Sequence, residues 1–252
     1  VIGKICLGLR SDYLAISTLL ISGIIVSVIK HEEWLSRGVK NVIGLKRPAP
    51  YEVNLQNSEW FIKMIETIRF WGPTTKDIII SSSGIFVKLC FTVIFSITLL
   101  ILLYLSERAV NSPWGRMMRA IRDNETAAKA MGKNIVKQQL NIFMIGSAII
   151  GFAGAMLVTY DGLFTPSSYQ PLRYTFLIWV MVLLGGSGNN YGSILGGFVV
   201  WFIWIESAPI ALFIINFCTF FLEYNNPIKL HLIESVPYFR YLMMGVGLLL
   251  VM

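Results

Sequence analysis

Charged residues are scarce in this chain of 252 residues. Asp, Glu, Lys and Arg make up 14% of it and hydrophobic residues 55%, whereas an average soluble protein is about a quarter charged. That shortage excludes a soluble globular domain. The charges that are present sum to +7, which we attribute to cytoplasmic loops and helix ends rather than to nucleic acid binding.

Cysteine and histidine are too few and too scattered to form a metal or redox site. Cys6, Cys90 and Cys218 lie singly in or beside apolar runs, and His31 and His231 are lone residues in loops. No glycine-rich loop ends in Gly-Lys-Ser or Gly-Lys-Thr, so a nucleotide site is also missing. We therefore predict no catalytic residue, no metal site and no cofactor in this chain.

Acidic and histidine pairs are missing from the apolar runs as well. A carrier coupled to protons or sodium often uses such a relay inside the membrane. Its absence argues against self-powered transport, so either the driving energy comes from another protein or the flow is passive.

Long apolar runs are what the sequence does have. They predict an all-α, polytopic helical transmembrane protein with about six spans, because the alternation of barrel strands is not found. We expect one transmembrane domain over residues 1–252, and we expect it to be a fragment lacking N-terminal spans and a C-terminal tail. Its predicted spans are 13–29, 83–105, 140–160, 173–184, 193–205 and 241–252.

Three polar segments separate these spans. We predict an outer-face loop at 31–77, a cytoplasmic loop at 106–139 and an outer-face segment at 216–239. The outer loop contains a short amphipathic helix at 60–70, which we expect to lie at the membrane interface. Glu206 and Pro209 are expected to end the fifth span.

The cytoplasmic loop is the long polar segment with the strongest helical character. Basic residues outnumber acidic ones over 106–139, which places it inside the cell by the positive-inside rule. Ser112 and Pro113 indicate a helix start, and Gly132 suits a left-handed helix end. An apolar stripe predicts one or two docking helices: Met117, Ile121, Ala128 and Met131. Membrane lipid and a protein partner fit that stripe equally well.

Glycine is concentrated in two places. Gly151 and Gly154 give a small-residue face suited to close helix packing. A second group interrupts two apolar runs: Gly185, Gly186, Gly188, Gly192 and Gly196. This group predicts a tight turn at the cytoplasmic face, the alternative being a broken helix that lines a cavity.

Several ordered motifs closely resemble the LivM-type permease, the branched-chain amino acid subunit of binding-protein-dependent ABC transporters. They are SPWGR (112–116), RAIRDNE (119–125), GFAGA (151–155), TPSSY (165–169), VLLGGSG (182–188), YGSILGG (191–197) and LRSDYLAISTL (9–19). The first two correspond to the cytoplasmic coupling loop of that family. The resemblance covers most of the chain, and only residues 216–237 match poorly.

The resemblance implies a transport subunit of the bacterial inner (plasma) membrane that is not itself an enzyme. The implied partners are a second permease subunit, two cytoplasmic ATPase subunits that hold ATP and Mg²⁺, and a periplasmic substrate-binding protein. It also implies that the coupling loop contacts an ATPase, with the arginines binding carboxylates and the apolar stripe filling a groove. The implied coupling residues are Gly115, Arg116, Met117, Arg119, Ala120, Ile121, Arg122, Asp123, Glu125, Ala128, Met131 and Gly132.

Two departures from the family leave the solute open. The outer turn at 36–41 lacks the usual Thr-Gly-Gly pattern, and 20–24 lacks an acidic residue often found midway along the first span. A permease for urea or short amides is therefore an alternative. A passive channel or secondary carrier would change the mechanism, and a non-transport scaffold would leave the glycine-rich turn without a purpose.

Overall fold

The computed structural model describes residues 2–6, 11–36, 38, 40–68, 75–166, 171–220 and 226–251. The chain divides into two compact units, Val1–Tyr169 and Gln170–Met252. The helices are α1 (Ile2–Cys6), α2 (Ser11–His31), α3 (Glu33–Ser36), α4 (Glu52–Gln56), α5 (Glu59–Ile68), α6 (Lys76–Asn111), α7 (Pro113–Asp123), α8 (Glu125–Ala130), α9 (Ile135–Asp161), α10 (Pro171–Gly185), α11 (Asn190–Cys218), α12 (Pro227–Glu234) and α13 (Val236–Val251).

The helical transmembrane fold predicted from the apolar runs is confirmed. In the described part of the chain, α2, α6, α9 and α11 are long and apolar enough to cross a membrane. The helices α10 and α13 are apolar but shorter. These six helices correspond to the six predicted spans. Residues 69–74 and 221–225, which belong to the predicted outer-face segments, and residues 167–170, which include the end of the TPSSY motif, lie outside the described residues.

Two of the long helices run further than the sequence pattern predicted. At 36 residues, α6 is about 54 Å long, which exceeds a bilayer core of about 30 Å. The prediction that Glu206 and Pro209 end a span is wrong, because α11 continues through both residues to Cys218. A proline removes one backbone hydrogen bond, and the apolar residues on both sides keep the rest of this helix intact.

The first unit has its core where the outer loop packs on α6. Phe61 and Ile65 of α5 are buried against Val87 and Phe91 of α6. Gln56, at the end of α4, donates a hydrogen bond of 3.0 Å to the hydroxyl of Ser83, which is fully buried. The amphipathic helix predicted at 60–70 therefore packs its apolar face on the protein itself.

A short two-stranded ladder also holds the outer loop. β1 (Val42–Ile43) pairs antiparallel with β2 (Leu163–Phe164), which follows α9. Arg47 reinforces this junction, since its guanidinium bonds the carbonyl of Asp161 at 3.4 Å and the carboxylate of Glu52 at 3.5 Å. The ladder thus joins the predicted outer loop to the segment that follows α9.

The second unit consists of the α10–α11 hairpin with α12 and α13. Its core is formed by side chains of three helices: Leu177, Val180, Val200, Trp204 and Met244. Met181 and Leu184 of α10 pack on this core from the side of the hairpin turn.

Candidate coupling site

The predicted docking loop forms two short helices, α7 and α8, between α6 and α9. Ser112 begins α7, as predicted, with its hydroxyl accepting a hydrogen bond of 3.2 Å from the backbone N–H of Gly115. Asn124 begins α8 in the same way, accepting from the N–H of Ala127 at 2.9 Å. Asn134 begins α9 by accepting from Lys137 at 3.1 Å. Three caps therefore fix where each helix of the loop begins.

Gly115 lies where α7 folds back on the end of α6. A Cβ atom at this position would overlap the carbonyl oxygens of Ala109 and Val110. These are backbone atoms, which cannot rotate away as a side chain can. The fold of the loop therefore needs glycine at position 115.

The arginines of α7 divide into two groups. Arg116 donates to the carbonyl of Asn111 and Arg119 to the carbonyl of Val110, both at 3.3 Å. These carbonyls belong to the last turn of α6, where backbone acceptors lack helical partners and cations are favoured. Arg122 instead points outward with its side chain 67% exposed, and its contact is with the neighbouring Asp123.

The apolar stripe of the loop is only partly exposed. Ile121 and Ala128 are buried with Ile135 of α9 in one small cluster, and Met117 packs on its edge. The groove-filling role expected of Ile121 and Ala128 is therefore not available in this arrangement. Met131 is 81% exposed. The other predicted coupling residues on the surface are Arg116, Arg119, Ala120, Arg122, Asp123, Glu125 and Gly132.

Glycines also allow the backbones of α10 and α11 to approach closely. A Cβ on Gly185 or Gly192 would overlap the carbonyl oxygen of the other residue, and one on Gly196 would overlap the carbonyl of Met181. Gly186 and Gly188 have φ angles of 88° and 95°, which favour glycine. The segment is a tight turn between two packed helices. The Asn189 side chain caps α11 by accepting from two backbone N–H groups.

The small-residue face of α9 has no such neighbour within the described residues. No atom lies within 4 Å of a Cβ built on Gly151 or on Gly154. The close packing predicted for this face is therefore not made by the described part of this chain.

One charged cluster lies outside the predicted residues. Arg173 of α10 and Arg240 of α13 both stack on the indole ring of Trp204, in the middle of α11. The sequence pattern did not bring them together because each lies near the start of an apolar helix, far from Trp204 along the chain. Ionisable residues inside apolar helices are the signal that would have selected both arginines.

Comparison with known proteins places this geometry in context. Residues 1–252 match the family described as the branched-chain amino acid transport system / permease component. The probable branched-chain amino acid transport permease protein LivM of Methanocaldococcus jannaschii is 38% identical over 128 residues, which is 50% of this chain and 37% of that protein. No solved structure matches the chain.

Two further relatives show the range of named solutes. The high-affinity branched-chain amino acid transport system permease protein LivM of Salmonella typhimurium is 26% identical over 189 residues, which is 75% of this chain and 43% of that protein. The fructose import permease protein FrcC of Rhizobium meliloti is 29% identical over 91 residues, covering 34% of this chain and 25% of that protein. The match thus spans less than half the length of each of these relatives.

Proposed function

The chain belongs to the branched-chain amino acid transport system / permease component family, and from that premise we propose that it carries branched-chain amino acids across the membrane. In this proposal it is the membrane-spanning subunit of a binding-protein-dependent ABC importer in the cell's inner (plasma) membrane. It works with a second permease subunit, two ATPase subunits and a substrate-binding protein outside. ATP and Mg²⁺ bind to the ATPase subunits.

The observation that carries the proposal is the preorganised loop of α7 and α8. Its apolar cluster and three caps give it a fixed shape, and its start rests on the last turn of α6. Its surface carries the arginines and Met131. Such a surface suits a partner with carboxylates and an apolar groove, since a guanidinium bonds a carboxylate with two parallel hydrogen bonds.

Transport by this mechanism couples a movement of the ATPase subunits to the membrane helices. When ATP binding draws those subunits together, the gripped loop moves and shifts α6, on which α7 rests. The solute path then alternates between outward-open and inward-open states. Permeases for amino acids and permeases for sugars can share this coupling loop, because the loop does not touch the solute.

A solute panel tests the transport assignment. The permease is expressed with an ATPase, a second permease and a binding protein of the same family system from its own genome, in cells that lack branched-chain amino acid uptake. We expect ATP-dependent uptake of radiolabelled leucine, isoleucine or valine that excess urea, acetamide or fructose does not reduce. Uptake of urea or fructose instead, or leucine uptake that persists without the ATPase, would contradict the proposal.

Charge reversal at Arg122 tests the coupling surface. In the described part of the chain, Arg122 bonds Asp123 rather than α6, so Arg122→Glu changes the surface charge without removing a bond between α7 and α6. We expect leucine uptake to fall at least about tenfold, because the ion pair with a partner carboxylate is lost and a repulsion between two carboxylates replaces it. Membrane insertion should be unchanged. Gly115→Glu and Arg119→Glu should also abolish uptake, but both disturb the junction with α6.

The matched control is Lys63→Glu on α5, an exposed residue of the outer loop with the same change in charge. It should leave uptake near that of the unmodified protein. If Arg122→Glu and Lys63→Glu behave alike at equal expression, then α7 is not the coupling surface.

A further inference from the structure

Trp204 is contacted by two cations inside the second unit. It is the middle residue of α11 and is only 7% exposed. The guanidinium carbons of Arg173 and Arg240 each lie 5.0 Å from the centroid of its ring. The two guanidiniums are therefore at most twice that distance apart. Tyr241 completes the cluster with its ring edge against the indole, at a centroid distance of 5.8 Å.

These two positive charges have no acidic partner in the described part of the chain. Neither guanidinium forms an ion pair with a described residue, and the Nε atom of Arg240 is buried without a hydrogen-bond partner there. Glu206 follows Trp204 by two positions and thus projects from a different side of α11. Stacking on an indole is worth about 0.5–2 kcal/mol and leaves the edges of the guanidinium groups available for hydrogen bonds. Arg173 is exposed and Arg240 is half-buried, so an anion can reach them.

Helix geometry adds to the positive potential. Arg173 is in the first turn of α10 and Arg240 in the second turn of α13, so the N-terminal ends of two helices meet beside Trp204. The backbone N–H groups at a helix N-terminus favour an anion. At 15 residues, α10 is about 22 Å long and thus shorter than a bilayer core of about 30 Å.

From this arrangement we infer that Arg173, Arg240 and Trp204 form a subsite that binds the carboxylate of the transported amino acid on its way through the membrane. The inference rests on the proposed function. A planar guanidinium binds a carboxylate with two parallel hydrogen bonds, and stacking on the indole of Trp204 orients both guanidinium groups. A lipid phosphate is the other source of an anion. The exposed Arg173 is open to either ligand, but the ring of Trp204 and the Nε of Arg240 are buried, which favours the smaller carboxylate.

The test uses the complete transporter in proteoliposomes, with tritiated leucine and its binding protein. The variants are Arg173→Met, Arg240→Met, the double variant and Arg240→Lys. The matched control is Lys88→Met, which removes an exposed cation from the apolar helix α6. Leucine delivered and ATP hydrolysed are measured in the same vesicles.

We expect each methionine variant to deliver about tenfold less leucine per ATP, which corresponds to the loss of one hydrogen bond to a charged group. ATP hydrolysis stimulated by the binding protein should stay normal. The double variant should resemble the worse single variant, because both arginines bind one group. Arg240→Lys should deliver more leucine than Arg240→Met, since lysine keeps the charge but cannot form the two parallel hydrogen bonds. Lys88→Met should match the unmodified transporter.

Three results would overturn the inference. Delivery and ATP hydrolysis that fall together indicate a structural role for the cluster. Arginine variants that deliver leucine like the unmodified transporter show that no solute binds there. A defect that appears in vesicles with one third phosphatidylglycerol and disappears in pure phosphatidylcholine identifies a lipid headgroup as the ligand. The proposed function fails differently, when the unmodified transporter shows no ATP-driven leucine uptake.

Discussion

Replacing Gly115 by alanine should detach α7 from the end of α6. The added Cβ atom would overlap the carbonyl oxygens of Ala109 and Val110, so α7 must move. Overpacking of this kind costs about 1–3 kcal/mol. Alanine in place of glycine favours a helix by about 1 kcal/mol, which offsets part of the loss. We expect the docked arrangement to be destabilised by up to about 2 kcal/mol, and the middle of this range, about 1 kcal/mol, changes the equilibrium between docked and detached loop about fivefold.

Hydrogen–deuterium exchange of the purified protein measures this equilibrium. Amides of α7, including that of residue 115, should exchange about fivefold faster in Gly115→Ala, and leucine uptake should fall with them. The control is Gly84→Ala in α6, where no atom lies within 4 Å of the added Cβ. That variant should exchange and transport like the unmodified protein. If Gly115→Ala leaves exchange in α7 unchanged, the steric argument is wrong.

Three further perturbations follow from other contacts in the structure. Gly196→Ala should separate α10 from α11 and lower the unfolding temperature by several degrees in a thermal scan, while Gly197→Ala, which has open space around its Cβ, should not. Asn124→Ala removes the cap of α8 and should cost about 1 kcal/mol, seen as faster amide exchange in α8 with normal exchange in α9. Arg47→Met should release the outer loop from the end of α9 and speed proteolysis of residues 42–56, and equal proteolysis of Lys46→Met would contradict this.

Local chemistry made several features predictable from the sequence. Ser112 followed by Pro113 indicates a helix start because the hydroxyl caps a free N–H and proline needs none. Glycines 186 and 188 indicate a turn because they tolerate positive φ. Each of these signals acts within a few residues, so one sequence is enough to interpret it.

Features that depend on distant residues were not predictable in the same way. The stripe from Met117 to Met131 predicts one or two helices but not which residues face inward. Asn124 ends α7 and begins α8, so that Ala128 turns inward to meet Ile121 and Ile135. The pairing of β1 with β2 joins residues more than a hundred positions apart and involves too few residues to leave a pattern. Pro209 was treated as a helix end, although its flanking turns keep α11 intact.

The length of α6 has a mechanical consequence. This helix runs without interruption from the outer loop, where Ser83 is bonded to Gln56, to the carbonyls bonded by Arg116 and Arg119. Beyond the Ser83-Gly84 pair near its outer end, α6 contains neither proline nor glycine, and sharp kinks in helices almost always arise at such residues or at comparable defects. A pull on α7 is therefore not absorbed by bending along the way. In that case α6 tilts as a rigid rod, and a displacement of its α7 end also displaces the outer loop at its other end.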